Sequence, residues 1–409
     1  MKILFMLPYS PVPPTFGGAM RIYHLIKLAL RNHDVSILSF GSSEDERELR
    51  SHLGSQTRNI NVIPLRWHKK TRRLRQFFSL FRNHSFMYLL VHRQKMQDEL
   101  DHLLETLDFD IVQTEYPSMG SYQLNSHAIK ILDSPDVQYD NFRQTWHTAR
   151  TQLRKLYYRN EYKKFYREEI EACNRYDVVL LTSARDKQIL DADIPIIPKY
   201  VIPNGVDASY FIPSSVSIEP WSLVFTGAMG YIPNYDGMLY FIDEILPHVL
   251  KRIPAAKVYI VGDNPPKQLL KKASHNVIIT GYVEDVRPYV WRSSVYIVPL
   301  RMGSGTRLKV LEAMAMKKPI VSTSIGCEGI DVVNGESVII ADEPQAFAES
   351  IIKLLYDNRL CEQLINNGYE LMKTNYEWQV IGDQLENLYQ ELYRKNHLTT
   401  MKEITRIAI

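Results

Sequence analysis

Short apolar runs alternate along almost the whole chain with stretches whose apolar positions recur every three or four residues. In the first half the strand-like runs are "KILFML", "DVSILSF", "NINVIPL", "DIVQT", "AIKILD", "DVVLLT" and "KYVIP"; in the second they are "SLVFTG", "KVYIVG", "NVIIT", "SVYIVPL", "PIVST" and "SVII". Near-continuous apolar runs of this length suit parallel strands covered on both faces, and the helical periods between them supply the cover. The predicted class is α/β. The alternation pauses once, over "IPNGVDASYFIPSSVSIEP" (Ile202–Pro220), where turn residues dominate. That break predicts a Rossmann-like domain over 1–202, a linker over 203–220 and a second Rossmann-like domain over 221–375. The stretch "EWQVIGDQLENLYQELYRK" predicts a closing helix over 376–395 that crosses back to the first domain, with a weakly ordered tail from Asn396. Two doubly wound domains facing across a cleft would line it with strand carboxyl ends and helix N-termini.

Composition narrows the class rather than the function. Among 409 residues, 45% are hydrophobic and 23% charged, as in ordinary globular proteins. The net charge of +3 is unevenly spread: residues 1–200 hold 29 Lys and Arg against 23 Asp and Glu, the remainder 20 against 23. Cys173, Cys327 and Cys361 are scattered, which favours a reducing compartment over a disulfide framework or a metal cluster. "MKILFMLPYS" has an apolar run shorter than a secretory h-region, and no run nears the roughly 18 apolar residues of a membrane span. The expected location is cytoplasmic.

The candidate chemistry centres on "PLRMGSGTRLKVLEAMAMKKPIVST", Pro299 to Thr323. A glycine-bearing loop leads into an apolar-periodic helix whose first turn carries Arg307 and Lys309, where the helix dipole disfavours positive charge. A bound anion resolves the conflict. Gly303 and Gly305 allow close backbone approach, with Ser304 between them, and Thr306 is the expected N-cap. Free N–H groups at the helix start, that of Leu308 among them, suit phosphate, with Arg307 and Lys309 adding charged donors. Glu312, one turn past Lys309, is placed to accept from a vicinal diol such as ribose. The plain alternative is a Lys–Glu pair on a solvated helix after a turn.

These residues carry a resemblance. "GYVEDVRPYVWRSSVYIVPLRMGSGTRLKVLEAMAMKKPIVST" resembles the C-terminal signature of retaining glycosyltransferase family 4, a GT-B fold of two Rossmann-like domains. "MLPYSPVPPTFGGAMRIYHLIKLALRNHDVSIL", "IPNGVD" and "LVFTGAMGYIPNYDG" extend it over most of residues 1–340, in the family's order and spacing. The resemblance implies a nucleotide sugar bound mainly by the second domain and an acceptor mainly by the first, with retention and no metal. Glu312 then matches the second Glu of the paired-Glu motif, which holds the ribose. Gly17 and Gly18 match the loop over the donor phosphates and sugar, or are a plain turn; Arg21, one turn on, serves the same anion or lies in solvent. Gly227 opens the second domain's first loop, and Tyr282 and Val283 match the segment that reads the base.

Three departures stand out. Ser304 occupies the first Glu position of the motif. Ala228 and Asn234 stand near where the family carries Arg and Lys, so Arg307 and Lys309 are the expected replacement on the leaving diphosphate. In "ILDSPDVQYDNFR", Pro135 replaces a family His, leaving Asp136 or Asp133 as substitutes unless "DSPD" is merely a turn. "DAD" at Asp191–Asp193 reads as a chance surface turn rather than a metal motif. No strand is followed by Gly-x-Gly-x-x-Gly, which argues against a nicotinamide enzyme.

"RWHKKTRRLRQFFSLFRN" carries seven Lys and Arg between Arg66 and Arg82, interleaved with Trp67, Phe77, Phe78 and Phe81. This suits an anionic inner-membrane surface; a solvated loop is the bland alternative, and nothing else supports nucleic acid. The resulting expectation is metal-independent, retaining transfer of a hexosyl unit from a UDP- or GDP-sugar to a hydroxyl of a cell-surface glycan or lipid-linked precursor. The nucleotide sugar is a co-substrate, and no cofactor is expected. A non-catalytic sugar-nucleotide-binding module and a GT-B-shaped epimerase are the alternatives.

Overall fold

In a computed structural model of the chain, residues 1–65, 76, 79–148, 151–303 and 305–407 are described. Every apolar run named above forms a strand, within a residue or two at the ends. Met1–Ile202 and the chain from Gly382 on form one compact unit; Pro203–Ile381 forms the other. Among the described residues no helix is long and apolar enough to cross a membrane.

The first unit holds a seven-stranded sheet of β1 (Lys2–Leu7), β2 (Asp34–Gly41), β3 (Asn59–Pro64), β4 (Ile111–Glu115), β5 (Ile129–Ser134), β6 (Val178–Leu181) and β7 (Lys199–Val201), in the order β3-β2-β1-β4-β5-β6-β7. Each neighbouring pair is parallel, for example Ile3 beside Val35 and Ile111. Apolar side chains on both faces bury it: Leu4 and Met6 pack with Val112, Leu132 and Phe165 in one cluster.

The second unit repeats the architecture with β8 (Ser222–Thr226), β9 (Lys257–Val261), β10 (Val277–Gly281), β11 (Val295–Val298), β12 (Ile320–Ser322) and β13 (Ile339–Ile340), ordered β10-β9-β8-β11-β12-β13 and also parallel. Its core joins Val224, Ile260, Ile297, Val310, Leu311 and Phe347.

In both sheets the order reverses beside the first strand, between β1 and β4 and between β8 and β11. Loops from neighbouring strands diverge there and leave a crevice at the carboxyl ends. Elsewhere, helices such as Ser43–Leu53 and Ala184–Asp193 start under a serine cap. Gly17–Ala29 after β1, Ile232–Tyr240 after β8 and Leu308–Ala315 after β11 begin with no side-chain cap and no acidic residue in the first turn. Uncapped N–H groups and a positive dipole end thus collect at the two reversals. The closing helix runs Trp378–Ile407, beyond the expected end at 395; "NHLTTMKEITRI" lacks Gly and Pro, so nothing in it stops the helix.

Candidate functional site

In the second unit three segments meet at the carboxyl ends of β8 and β11. The chain leaves β8 through Gly227, whose backbone (φ +151°) crosses that of Gly262 (φ +152°) so closely that a Cβ on Gly262 would sit 1.9 Å from the Gly227 oxygen. A Cβ on Gly227 would lie 2.7 Å from the Lys309 ammonium. Lys309 reaches in from the helix after β11 and donates to the Thr226 carbonyl and the Asn234 side-chain oxygen, each at 2.8 Å. Asn234 is in turn fixed by its own amide, which donates to the Ala228 carbonyl at 2.9 Å. The ammonium also lies 3.9 Å from the Phe225 ring centroid. An ammonium has three N–H donors; the third has no acceptor among the described residues.

Burial in this packed corner lowers Lys309 to about 7, against an upward pull from Glu312. Burial likewise raises Glu312 to about 7, offset in part by Lys309. The Glu312 carboxylate makes no hydrogen bond or ion pair among the described residues, although it is partly accessible. A cation with a spare donor and an unpaired carboxylate one turn apart are what a diphosphate and a diol would each use.

Arg307 is placed differently from the expectation. It is the residue before the helix (φ −82°, ψ 80°), not part of its first turn. The Leu308 N–H bonds back to the Thr306 carbonyl at 3.1 Å, an inverse γ-turn centred on Arg307. That turn withdraws Thr306 from the capping position, and its hydroxyl is buried without a partner, so the expected N-cap does not form. The Arg307 guanidinium packs against Gly303, donates to the Ile325 carbonyl at 3.1 Å and pairs with Glu328 at 3.4 Å. Part of its charge is therefore already matched. Gly305 (φ +71°) completes the loop, Leu308 is half-buried against the core, and Ser304 lies outside the described residues. Tyr282, just past β10, is 79% exposed, and Val283 packs on the core.

At the reversal of the first unit, Gly18 is required by close approach: a Cβ would meet the Tyr116 and Tyr9 hydroxyls at 2.2 and 2.5 Å. Gly17 starts the same helix. Tyr116 holds φ +71°, costly for a bulky side chain. Arg21 neither serves an anion nor lies in solvent. It is fully buried and clamps Asp133 through two bonds of 2.7 and 2.6 Å, with a third to the Ile202 carbonyl at 2.9 Å. Asp133, entirely enclosed by that pair, is thereby removed as a substitute for the missing His. Asp136 is partly accessible and accepts from the Asn141 amide at 2.8 Å.

The sequence reading missed several partners in these clusters. Glu115 is fully buried beside Asp133; burial, then the neighbouring charge, raises its carboxyl well above the usual range. Glu328, the partner of Arg307, likewise has no local signal in the sequence. Asp191 pairs with Lys187 and Lys199, while Asp193 accepts from the Tyr139 and Tyr166 hydroxyls, so "DAD" has structural partners. The basic stretch proposed for a membrane surface lies largely outside the described residues, at 66–75, 77 and 78.

The same two-unit architecture occurs in solved glycosyltransferases of the GT-B fold. Sucrose-phosphate synthase of Thermosynechococcus elongatus superposes with a TM-score of 0.68 at 16% identity, over 97% of this chain and 100% of that one. HepE of Anabaena, solved in complex with UDP, gives 0.69 at 15% identity, over 96% and 100%. The sequence families are explicit. The profile of "Glycosyltransferase Family 4" matches residues 17–210 and that of "Glycosyl transferases group 1" matches residues 221–357. The chain belongs to this family of glycosyltransferases. Similar relatives include the phosphatidyl-myo-inositol mannosyltransferase of Mycobacterium tuberculosis, 26% identical over 95% of this chain and 97% of its own length. An uncharacterised 44.6 kDa protein of the Klebsiella pneumoniae cps region is 23% identical over 92% and 96%. The chain is thus related to mannosyltransferases, and its relatives also include glycosyltransferases of capsular polysaccharide and teichuronic acid biosynthesis.

Proposed function

We propose that the protein transfers a hexosyl unit, with retention and without a metal, from a UDP- or GDP-sugar to a hydroxyl of a glycan or lipid-linked acceptor. The observation that carries this is Lys309. Its ammonium occupies the corner formed by Gly227, Thr226 and Asn234, with one N–H unspent. Departure of a nucleoside diphosphate concentrates negative charge on the leaving oxygen, and preorganised donors in a partly desolvated corner stabilise that charge. Lys309 supplies the donor, the uncapped helix Leu308–Ala315 supplies its dipole, and Arg307, packed against Gly303 of the same loop, adds positive charge beside them. Glu312 accepts from the ribose hydroxyls. Gly17, Gly18 and Asp136 are assigned to the sugar and acceptor side, and residues 66–82 to an anionic membrane surface. HepE binding UDP and the mannosyltransferase relative support the substrate class.

Thermal stabilisation by a panel of UDP- and GDP-sugars tests the reading. A ligand at 100 times its dissociation constant stabilises the fold by about 2.7 kcal/mol. The wild type should respond to one nucleotide, and Glu312→Ala and Arg307→Ala/Lys309→Ala should lose that response. No shift with any nucleotide sugar at millimolar concentration would refute it.

A further inference from the structure

A cavity of about 130 Å³ lies wholly within the first unit, past the carboxyl ends of β4 and β5. The turn Pro117–Met119 and Ser121 form one wall, Tyr88 another, and the C-terminal half of the helix Gln152–Cys173 forms the floor through Phe165, Glu168 and Ala172. The donor site described above uses none of these residues.

Its walls are held in place by bonds among the lining residues themselves. Glu168 accepts from the Ser85 N–H at 2.7 Å and from His84 Nδ1 at 3.2 Å. Arg175, in the turn just past the end of that helix, spends one N–H on the Ser121 carbonyl at 3.2 Å. The Tyr88 ring is clamped between His84 (4.0 Å, 12°) and His92 (4.8 Å, 15°), and His92 stacks in turn on Tyr122 (5.5 Å, 24°). Such a ladder immobilises the aromatic wall before any ligand arrives, which lowers the ordering cost of binding. The Ser118 hydroxyl is half-exposed and makes no hydrogen bond among the described residues.

The lining specifies a ligand chemistry. A fixed carboxylate, a guanidinium with spare donors and a free hydroxyl match a molecule whose groups both donate and accept. Phe165, Ala172 and Pro117 offer it an apolar surface. Glu168 and Glu171 outnumber Arg175, which disfavours a phosphate or uronate. A neutral pyranose, with hydroxyls around its rim and C–H groups on its face, meets all these conditions. We propose that this cavity binds a neutral pyranosyl unit of the acceptor; the inference rests on the glycosyl-transfer reading above.

Saturation-transfer NMR with methyl α-glycosides of mannose, glucose, galactose and N-acetylglucosamine, and with methyl glucuronide as the charged control, tests it on the full chain. At least one neutral glycoside should receive saturation. Arg175→Ala should weaken its binding by about tenfold, and Ser118→Trp, which fills the cavity while sparing Glu168 and Arg175, should abolish it. Both variants should keep the wild-type thermal response to nucleotide sugars, which shows that they fold. Absence of transfer to every neutral glycoside, unchanged transfer in Ser118→Trp, or preference for the glucuronide would overturn the proposal while leaving the donor reading intact. Glycoside binding with no response to any nucleotide sugar would overturn the transfer reading, and the acceptor role with it.

Discussion

The Lys309 ammonium donates to the side-chain oxygen of Asn234 at 2.8 Å, 75 residues away in sequence. By the resemblance, Asn234 stands near a position where the family is expected to carry a base, so a cation from the helix after β11 reaches the corner that a residue of the helix after β8 would otherwise fill. The two positions are then exchangeable. Asn234→Lys/Lys309→Asn should bind nucleotide sugar within about tenfold of the wild type. Lys309→Asn alone loses a charge-assisted bond worth roughly 1.5–3 kcal/mol, a ten- to hundredfold weakening. Calorimetric titration of the single and double variants decides between exchange and a purely structural Lys309.

Nucleotide-sugar affinity should be bell-shaped in pH. A nucleotide sugar is a diphosphate diester with no ionisation near neutrality, so the protein sets the profile. Lys309 is lowered to about 7 by burial and loses its charge as pH rises through that value, which weakens its hold on the diphosphate. Glu312, raised by burial to about 7, gains a proton as pH falls through the same value and ceases to be a pure acceptor for ribose. The maximum should fall near neutrality. Titrations from pH 5 to 9 should lose the acidic limb in Glu312→Gln and the alkaline limb in Lys309→Met.

Much of this was legible in the sequence, for a definite reason. Runs such as "KILFML" and "KVYIVG" are apolar on both faces, and a buried parallel strand is the arrangement that satisfies them. That Lys309 and Glu312 stand one turn apart at the start of one helix was readable because they are close in sequence, and Lys309 drew notice because it opposes the helix dipole. The Arg21–Asp133 clamp was not, because its partners lie 112 residues apart and meet only once β1, β4 and β5 are ordered in the sheet. Arg307 and Thr306 were misplaced by one residue, since an inverse γ-turn and an N-cap begin from the same composition and differ only in backbone angle. The cavity beside Tyr88 had no local signature: its walls come from three separate segments.

The Arg21–Asp133 pair should behave as a buried ion pair that is costly to break and cheap to replace. Burial alone would lower the guanidinium, and the adjacent carboxylate more than offsets that. Asp133→Asn should destabilise the first unit by about 3 kcal/mol, the lower end for an orphaned buried charge, because Glu115 can ionise in response. Arg21→Met/Asp133→Leu should recover more than half of that loss. Hydrogen exchange of the β1 and β5 amides under urea reads the first unit separately from the second.

Glu312 should cost stability when no ligand is bound, and the cost should depend on pH in a fixed direction. Its carboxyl is raised from the unfolded value to about 7. Between those two values the folded protein holds a proton that the unfolded chain has released, so this group's contribution to stability falls as pH rises. Below the unfolded value both states are protonated and the contribution is flat; above about 7 both are ionised and the full penalty is present. Glu312→Gln should therefore match the wild type near pH 4 and exceed it above neutrality by about 1 kcal/mol, a figure reduced for the residue's partial access to solvent. Thermal unfolding of both proteins across this range checks the sign. Saturating nucleotide sugar should close the gap at high pH, because the ribose hydroxyls give the wild-type carboxylate the partners it lacks in the free protein, whereas the variant gains little. A gap that ligand leaves unchanged would mean that Glu312 never contacts the nucleotide.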